Sequence, residues 1–564
     1  MLRLSAFKIA ILSALIGVFF VALSLIITVS TEKEIVSFLN KTLSEYLTNS
    51  ADVSNTIKHT PFILMQIALG FFIWGSIGYF LVKGNLKDQQ AQKPDHVSFS
   101  IPPWWYMLLS CILVFLLGYY LISHGLNDSF CVDEAQKAKY IVFSNWFSLW
   151  HQGLLDNMRM YAYFTKIVVE LFGFSEKIMR IPNAVCYCLF AWFLIIISWN
   201  RKHRYLSTVG GVVVALFFMI TPAAIQTAYT VRAHMMSAFF VAISSYGFVQ
   251  AQRSNHKRRW LLLSVVPSAL AMMNIVTSLA YFMSVWVVIL LSIMLKRSFL
   301  SRNETLWFYT LNSISFVFIL FVYAPKLPWI VSWLAFAKDW ASFGTHTFLP
   351  WTNGWWGIGA VVLSLFMLKI NKSELSVAVV PLTVAIVWLL VYVQSCAAPI
   401  YAAISGAGIM VICALAVQKD KQTFFSKMNT VLLYIVMIAS IIISYKNWSA
   451  YVENRTPRSF AREAVMPIKG NETVLLVGHC QAPHFYLRLK TANNLFKANS
   501  VEQLKALLAV EEFDWIVLNA SDGSGLRKIA ESDIIPTRTY LKTFKAPQNS
   551  EDLWVWRNLR SSGS

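Results

Sequence analysis

Residues 104–123 read WWYMLLSCILVFLLGYYLIS, twenty residues without a charge. The hydrocarbon core of a bilayer takes a helix of about 20 apolar residues, so this stretch predicts a transmembrane span. The residues C-terminal to it are of another kind: a polar segment with DEAQKAKY at 133–140. Working outward, apolar runs predict spans at 7–29, 61–83, 104–123, 181–199, 206–221, 234–251, 260–274, 278–295, 306–324, 355–370, 375–394, 399–417 and 427–445, about 13 in all. The least marked boundary divides 260–295, a run long enough for two tight spans. The first run exceeds the usual h-region of roughly 7–15 residues, and no A-x-A site comes after it, so it reads as a retained anchor.

Composition agrees. Of 564 residues, 57% are hydrophobic and 13% charged, and the mean hydropathy is +0.55. Soluble domains carry about 25% charged residues. A soluble globular protein, a disordered chain and a disulfide scaffold are excluded. The seven cysteines form no CxxC or Cys/His cluster of the kind that marks a zinc module. The net charge of +20 is not a nucleic-acid signal, because the basic residues sit in short turns between apolar runs. Lys83, Lys87, Lys93, Arg201, Lys202, Arg204, Arg253, Lys257–Arg259, Lys296, Arg297, Arg302, Lys369, Lys372, Lys419, Lys421 and Lys427 fall on one side of the alternating loops. Only Arg232, Lys326 and Lys338 fall in short loops on the other. The positive-inside rule then puts the N-terminus in the cytoplasm and, with an odd count, the C-terminus outside.

Two segments break the alternation. The outside loop 124–180 is too long for a turn. The tail 446–564 holds 28 of the 76 charged residues, a soluble density. Within it, Val474–Gly478 and Trp515–Asn519 read as buried parallel-type strands, with a helix over 501–511 between them. The expected organisation is an N-terminal two-span extension (1–100), a helical core (101–445) and a small α/β domain outside (446–564).

The spans hold almost no ionisable residues, whereas transporters keep acids, bases or broken helices at mid-membrane. The acids gather instead in the loop 124–180, at Asp128, Asp133, Glu134, Asp156, Glu170 and Glu176. An active site at the membrane–water boundary accounts for that placement, with a substrate half lipid and half polar. On a helix, Asp133 and Lys137 share a face. Spacing alone leaves open a plain solvated helix N-terminus, with acids set against the dipole.

An apolar span followed by an outside loop opening DEAxxAxY resembles the GT-C superfamily of membrane glycosyltransferases. The similarity is greatest to the branch of protein O-mannosyltransferases and lipid A aminoarabinose transferases. It continues through Leu171-Phe172-Gly173-Phe174-Ser175-Glu176 and Arg180-Ile181-Pro182-Asn183-Ala184, similar to that branch's LFG-x-SE and R-L/I-P-x-A stretch, and through Thr221-Pro222 followed by Arg232. It spans roughly 104–420. The resemblance implies a GT-C type α-helical polytopic fold and transfer of a sugar from a polyprenyl-phosphate donor, with inversion, to an acceptor on the outer face. It assigns the catalytic base to Asp133, since an acceptor oxygen must lose its proton as it attacks the anomeric carbon. Glu134, the other catalytic candidate, orients the loop or holds a partner cation.

The leaving lipid phosphate needs positive charge. The family's Arg three residues after its Asp is Gln136 here, so Lys137, Lys139 or Arg159 is assigned that charge. Arg232, a cation in a short outside loop, fits a phosphate or a lipid headgroup equally. Ser395–Tyr401 resembles a donor-contacting loop and places Tyr401 on its tyrosine, without the loop's lysine; an aromatic-belt role stands beside that one. The resemblance also implies a divalent metal near the phosphate, held by Asp156 and His346, and no other cofactor. The Pro-Pro pair next to the family's acid is absent, and two ordinary surface residues stay the alternative. Trp146, Phe147, Trp150 and Tyr161 fit either helices on the membrane surface or a donor groove. Gly478-His479-Cys480 after a strand reads as structural. The tail is expected to help bind the acceptor.

The resulting expectation is a glycosyltransferase of a bacterial inner membrane, with polyprenyl-phosphate sugar as donor and an envelope lipid, glycan or protein as acceptor on the periplasmic face. A flippase or transporter of lipid-linked glycan is the alternative, and a non-catalytic scaffold presenting the tail is a third. The residues name neither sugar nor acceptor.

Overall fold

A computed structural model describes residues 2–29, 65, 68–82, 102–151, 159–200, 204–275, 278–295, 298–323, 355–368, 375–379, 381–383, 386, 403–418, 424–453, 459–478, 480–490, 494–498, 500–519, 540–545 and 553–559. Among them, four helices are long and apolar enough to cross a membrane: Ala6–Leu25, Trp104–Leu126, Glu176–Ser198 and Met428–Ala450. A fifth is formed if Ser207–Met219 and Pro222–Ala228, which meet at 69°, are one broken span. Ala68–Val82, Leu279–Met294 and Gly406–Val417 are shorter apolar helices. The expected thirteen therefore stays an expectation from sequence. The division of 260–295 is real: the helix Lys257–Asn274 stops at an extended Ile275, and a new helix runs Leu279–Met294.

The bend at residue 220 has a local cause. Pro222 cannot donate a backbone hydrogen bond, so it begins a helix rather than continuing one. Thr221 is extended before it. Close approach between helices also has a sequence basis. A Cβ on Gly125 would meet the Tyr229 ring at 2.6 Å, so only glycine lets that ring lie against the helix end.

The stretch expected as a long outside loop is itself helical. It contains Val132–Phe143, here the acid helix, then Trp146–His151 and Arg159–Phe172. Gly173 ends the last of these at φ 81°, its N–H donating to Val169 at 2.9 Å. That left-handed residue is the usual glycine stop of a helix. Ser175 then caps the next helix, accepting from the Ile178 N–H at 3.2 Å. The Leu-Phe-Gly-x-Ser-Glu run is thus a helix stop followed by a helix start.

The tail folds as a five-stranded sheet in the order β2-β1-β3-β5-β4. β1 (Val474–Val477) and β3 (Trp515–Asn519) pair in parallel, with Val474 opposite Trp515. The helix Val501–Val510 lies between them in sequence. Sequence reading did not foresee three strands: β2 (Leu495–Ala498) parallel on the far side of β1, and the antiparallel pair β4 (Tyr540–Lys545) and β5 (Leu553–Asn558). Nor did it foresee the helix Gln481–Leu489. Alternate residues of β1 feed two cores. Val474 and Leu476 join the core that includes Phe485 and the acid helix's Ala135 and Ala138. Leu475 and Val477 pack with Leu504 on the other face. The tail meets the helical bundle at the end where Trp104–Leu126 finishes. There Trp448, near the end of the helix leading into the tail, has its ring 5.4 Å from Tyr120 and 6.1 Å from His124.

Candidate functional site

The acid helix is held by charge at its first turn. Glu134 is 4% exposed. Its Oε2 accepts from the Arg180 guanidinium at 2.9 Å and its Oε1 from the Val231 N–H at 2.8 Å. It also reaches back to the Cys131 N–H at 3.5 Å, closing a capping box. Arg180, itself 2% exposed, donates to the carbonyls of Gly125, Leu126 and Asp128 at 3.0, 3.0 and 2.8 Å. A cation on the last carbonyls of a helix satisfies orphan acceptors and the dipole together. One guanidinium therefore ends the helix Trp104–Leu126 and fixes the start of the acid helix. Asn183, one turn on, donates to Thr230 at 2.7 Å and to the Arg232 carbonyl. The Arg-Ile-Pro-Asn segment is thus a clamp that joins three chain segments.

Glu134, a catalytic candidate that is also expected to orient the loop or hold a partner cation, has both of its oxygens on Arg180, Val231 and Cys131, an arrangement that holds a cation. Asp133 lies in the same first turn of the helix.

The other expected groups are placed as follows. Lys137 is buried and Lys139 half-buried on the acid helix. Burial, and then the charge of Arg488, pulls the Lys139 ammonium below its ordinary range. Arg159 is buried at the start of Arg159–Phe172. Arg232 is half-buried beside Val231, so Glu134, Arg180 and the Arg232 backbone share one cluster. Asp156, His346 and Tyr401, with the side chain of Asp133, lie outside the described residues. Among the described residues, no three His, Cys, Asp or Glu side chains gather as a metal site. Of the surface aromatics, Trp146 and Phe147 are exposed, and Trp146 stacks on Tyr163 at 5.6 Å. Tyr161 is a correction: it is 1% exposed and its hydroxyl donates to the Met179 carbonyl at 2.9 Å. It is a core residue, and its place on a helix between amphipathic neighbours concealed this.

Several residues that sequence reading passed over complete the site. Lys166 donates to Ile141 and Ser144 carbonyls at 3.2 and 2.9 Å, so it caps the far end of the acid helix. Asn274 accepts from the Tyr161 N–H at 2.9 Å, one of the free donors of a helix start. From the tail, the Tyr486 hydroxyl accepts from the Phe130 N–H at 2.8 Å and donates to Glu176 at 3.1 Å. Burial raises this phenol's pKa, and the Glu176 carboxylate raises it further. Arg462 bonds Glu176 at 3.0 Å and Glu463 at 2.7 Å, and Glu463 accepts from Ser129. Phe130 packs on Phe485 and Tyr486 at 5.7 and 6.1 Å. The tail is therefore docked on the segment that leads into the acid helix. Only the Ser-Glu pair of the 171–176 motif pointed toward this contact.

Comparison with known proteins gives the site its context. Residues 157–329 match the family model described as dolichyl-phosphate-mannose-protein mannosyltransferase. No curated protein matches the chain. Among solved structures, ArnT from Cupriavidus metallidurans in the apo state is similar with a TM-score of 0.53 at 10% identity, over 82% of this chain and 99% of that one. The same protein bound to undecaprenyl phosphate gives 0.52 at 11% identity, over 82% and 100%. At such identity the likeness is one of fold. In fold over 82% of its length, and in sequence over residues 157–329, this chain resembles the GT-C glycosyltransferases, which are enzymes of the membrane.

Proposed function

We propose that the chain is an inverting glycosyltransferase that moves a sugar from a polyprenyl-phosphate donor to an envelope lipid, glycan or protein on the outer face of a bacterial inner membrane. The observation that carries the reading is the clamp on the acid helix. Arg180, Glu134 and Val231 fix its first turn against the end of an apolar span. A general base works only when held within hydrogen-bond reach of the proton that it takes, and a rigid supporting set of residues supplies that. Asp133, in the clamped turn, is the proposed base. The acceptor oxygen gives it the proton as the bond to the anomeric carbon forms, and the lipid phosphate leaves from the opposite face.

The family match over 157–329 and the likeness to a protein solved with undecaprenyl phosphate support the donor class. Lys137, Arg159, Arg232 and Tyr401 are proposed to face the donor, with Lys139 at the outer margin. Asp156 and His346 are proposed as ligands should a divalent metal take part. The tail, 446–564, is proposed to lie on the periplasmic side with the acid helix and to help bind the acceptor.

The test is sugar transfer by purified protein in lipid, with a panel of polyprenyl-phosphate sugars and an envelope-lipid extract. Asp133→Asn is expected to lower transfer by roughly 10²–10⁴-fold, the usual worth of a general base, while folding and donor binding persist. Equal transfer by the two proteins would remove Asp133 from the mechanism.

A further inference from the structure

Four basic side chains meet at the seam between the acid helix and the tail, and the transfer mechanism uses at most one of them. Lys139 lies on the acid helix. His484 and Arg488 lie one turn apart on Gln481–Leu489, so they share a face. Lys497 lies on the edge strand β2, opposite Leu476 of β1. Leu476 belongs to the core that Phe485 and the acid helix share. Register therefore places Lys497 on the sheet face toward that helix. Arg488 carries its guanidinium over the Phe143 ring at 4.6 Å, which brings it to the acid helix from the tail side.

The four sense one another. Burial pulls the His484 imidazole down to about 4, and the charges of Lys497, Lys139 and Arg488 add to it. Burial, and then Lys139, lowers Lys497. Among the described residues, no carboxylate pairs with any of the four. His484 is 9% exposed, and its Nδ1 is buried without a hydrogen-bond partner. Like charges brought together disfavour the folded chain, and with no described carboxylate to answer them their assembly calls for an anion.

We propose that this seam is a binding site for a phosphate-class oxyanion, a phosphate monoester or diester, held by Lys139, His484, Arg488 and Lys497. Two ammonium groups, a guanidinium fork and an imidazole able to take up a proton suit a multiply charged oxyanion better than a single carboxylate. The bound group stands next to the acid helix. Its service to an acceptor rests on the transferase reading, whereas the binding itself does not. The phosphoryl group comes either from an anionic lipid headgroup at the membrane surface or from a soluble or acceptor-borne phosphate.

The test uses the full chain in phosphatidylcholine nanodiscs, with isotope-labelled histidine and the His484 resonance assigned through His484→Gln. Inorganic phosphate is titrated against chloride at equal ionic strength. A saturable shift of the His484 signal is expected, with its titration midpoint rising by about one unit, tenfold in proton affinity. Lys139→Gln and Lys497→Gln are each expected to weaken phosphate binding about tenfold, and Lys497→Arg to restore it. Nanodiscs with phosphatidylglycerol separate the sources. A midpoint raised before phosphate is added, with no further response, assigns the site to lipid headgroups; a response that still needs phosphate assigns it to a soluble or acceptor group. The proposal is overturned by a response equal in chloride, by no response to either phosphate or phosphatidylglycerol, or by full binding in both lysine variants. No donor or turnover enters the measurement, so its failure leaves the transferase reading standing, and loss of transfer in Asp133→Asn leaves the anion site standing.

Discussion

The two ends of the acid helix treat buried charge in opposite ways. At the amino end, Arg180 and Glu134 are a bonded pair, and the guanidinium's remaining reach goes to three carbonyls. Toward the carboxyl end, Lys139, Arg488, Lys497 and His484 feel one another's charge, and among the described residues no carboxylate is paired with any of them. A buried charge that is paired and hydrogen-bonded to several partners fixes geometry. An unpaired cluster of one sign stores unfavourable energy that a bound anion releases. The difference separates what the fold needs in order to stand from what it holds ready for a ligand.

The sharpest way to break that comparison is to remove Arg180. Arg180→Ala leaves Glu134 buried without its cation and frees the carbonyls of Gly125, Leu126 and Asp128. Breaking a buried pair from one side costs about 3–5 kcal/mol. The expected result is a large fall in the thermal midpoint of the purified protein, with transfer lost as well. Arg180→Lys keeps the charge but not the fork, and is expected to recover only part of the stability. A midpoint unchanged in Arg180→Ala would mean that the clamp does not hold the helix.

Next in size is the link between core and tail. The Tyr486 hydroxyl both accepts from Phe130 and donates to Glu176. Tyr486→Phe leaves a buried N–H and a carboxylate each short of a partner, at a cost of about 1–3 kcal/mol. Arg462 is a lesser tie, because 43% of its side chain is exposed and such pairs are worth about 0–1 kcal/mol. Faster hydrogen exchange at residues 128–131 is therefore expected in Tyr486→Phe and hardly at all in Arg462→Gln. The reverse order would place the docking energy in the ion pair.

Much of this was legible from residues, and the reasons for the rest are physical. The apolar runs around Trp104–Leu126 and Glu176–Ser198 announced themselves, because a bilayer imposes length and composition on every span. The strands β1 and β3 were legible for the same kind of reason, as both faces are buried and the residues are continuously apolar. β4 was not: YLKTFK lies at the sheet edge, largely exposed, and edge lysines are what keep such a strand from pairing elsewhere. β2 is four residues long and contains a lysine. At the site, the motif around Arg180 was visible but its role was not. Arg180 acts on residues 46 to 55 positions away, and pairings at that separation leave no periodic trace. The basic seam was wholly hidden, since its members come from an acid helix, a tail helix and an edge strand.

The smallest effect is also the one that joins the two ends of the comparison. The His484 imidazole, held near 4 by burial and by Lys497, Lys139 and Arg488, resists protonation in the folded chain. In the unfolded chain it titrates near 6.5. As pH falls below 6.5, the unfolded state takes the proton first, so stability is lost down to about 4 and then levels off. Solvent reaches part of the ring, so the loss is roughly 1–2 kcal/mol rather than the full 1.36 kcal/mol for each pH unit. Unfolding midpoints of the intact protein between pH 7.5 and 4.5 are expected to fall more steeply than in His484→Gln. Saturating phosphate is expected to flatten the wild-type slope, because a bound oxyanion raises the folded pKa toward the unfolded one. The Arg180–Glu134 end shows no such dependence on phosphate if it is a closed clamp. A slope that phosphate leaves untouched would return His484 to the role of an ordinary buried ring, with the burial alone setting its pKa.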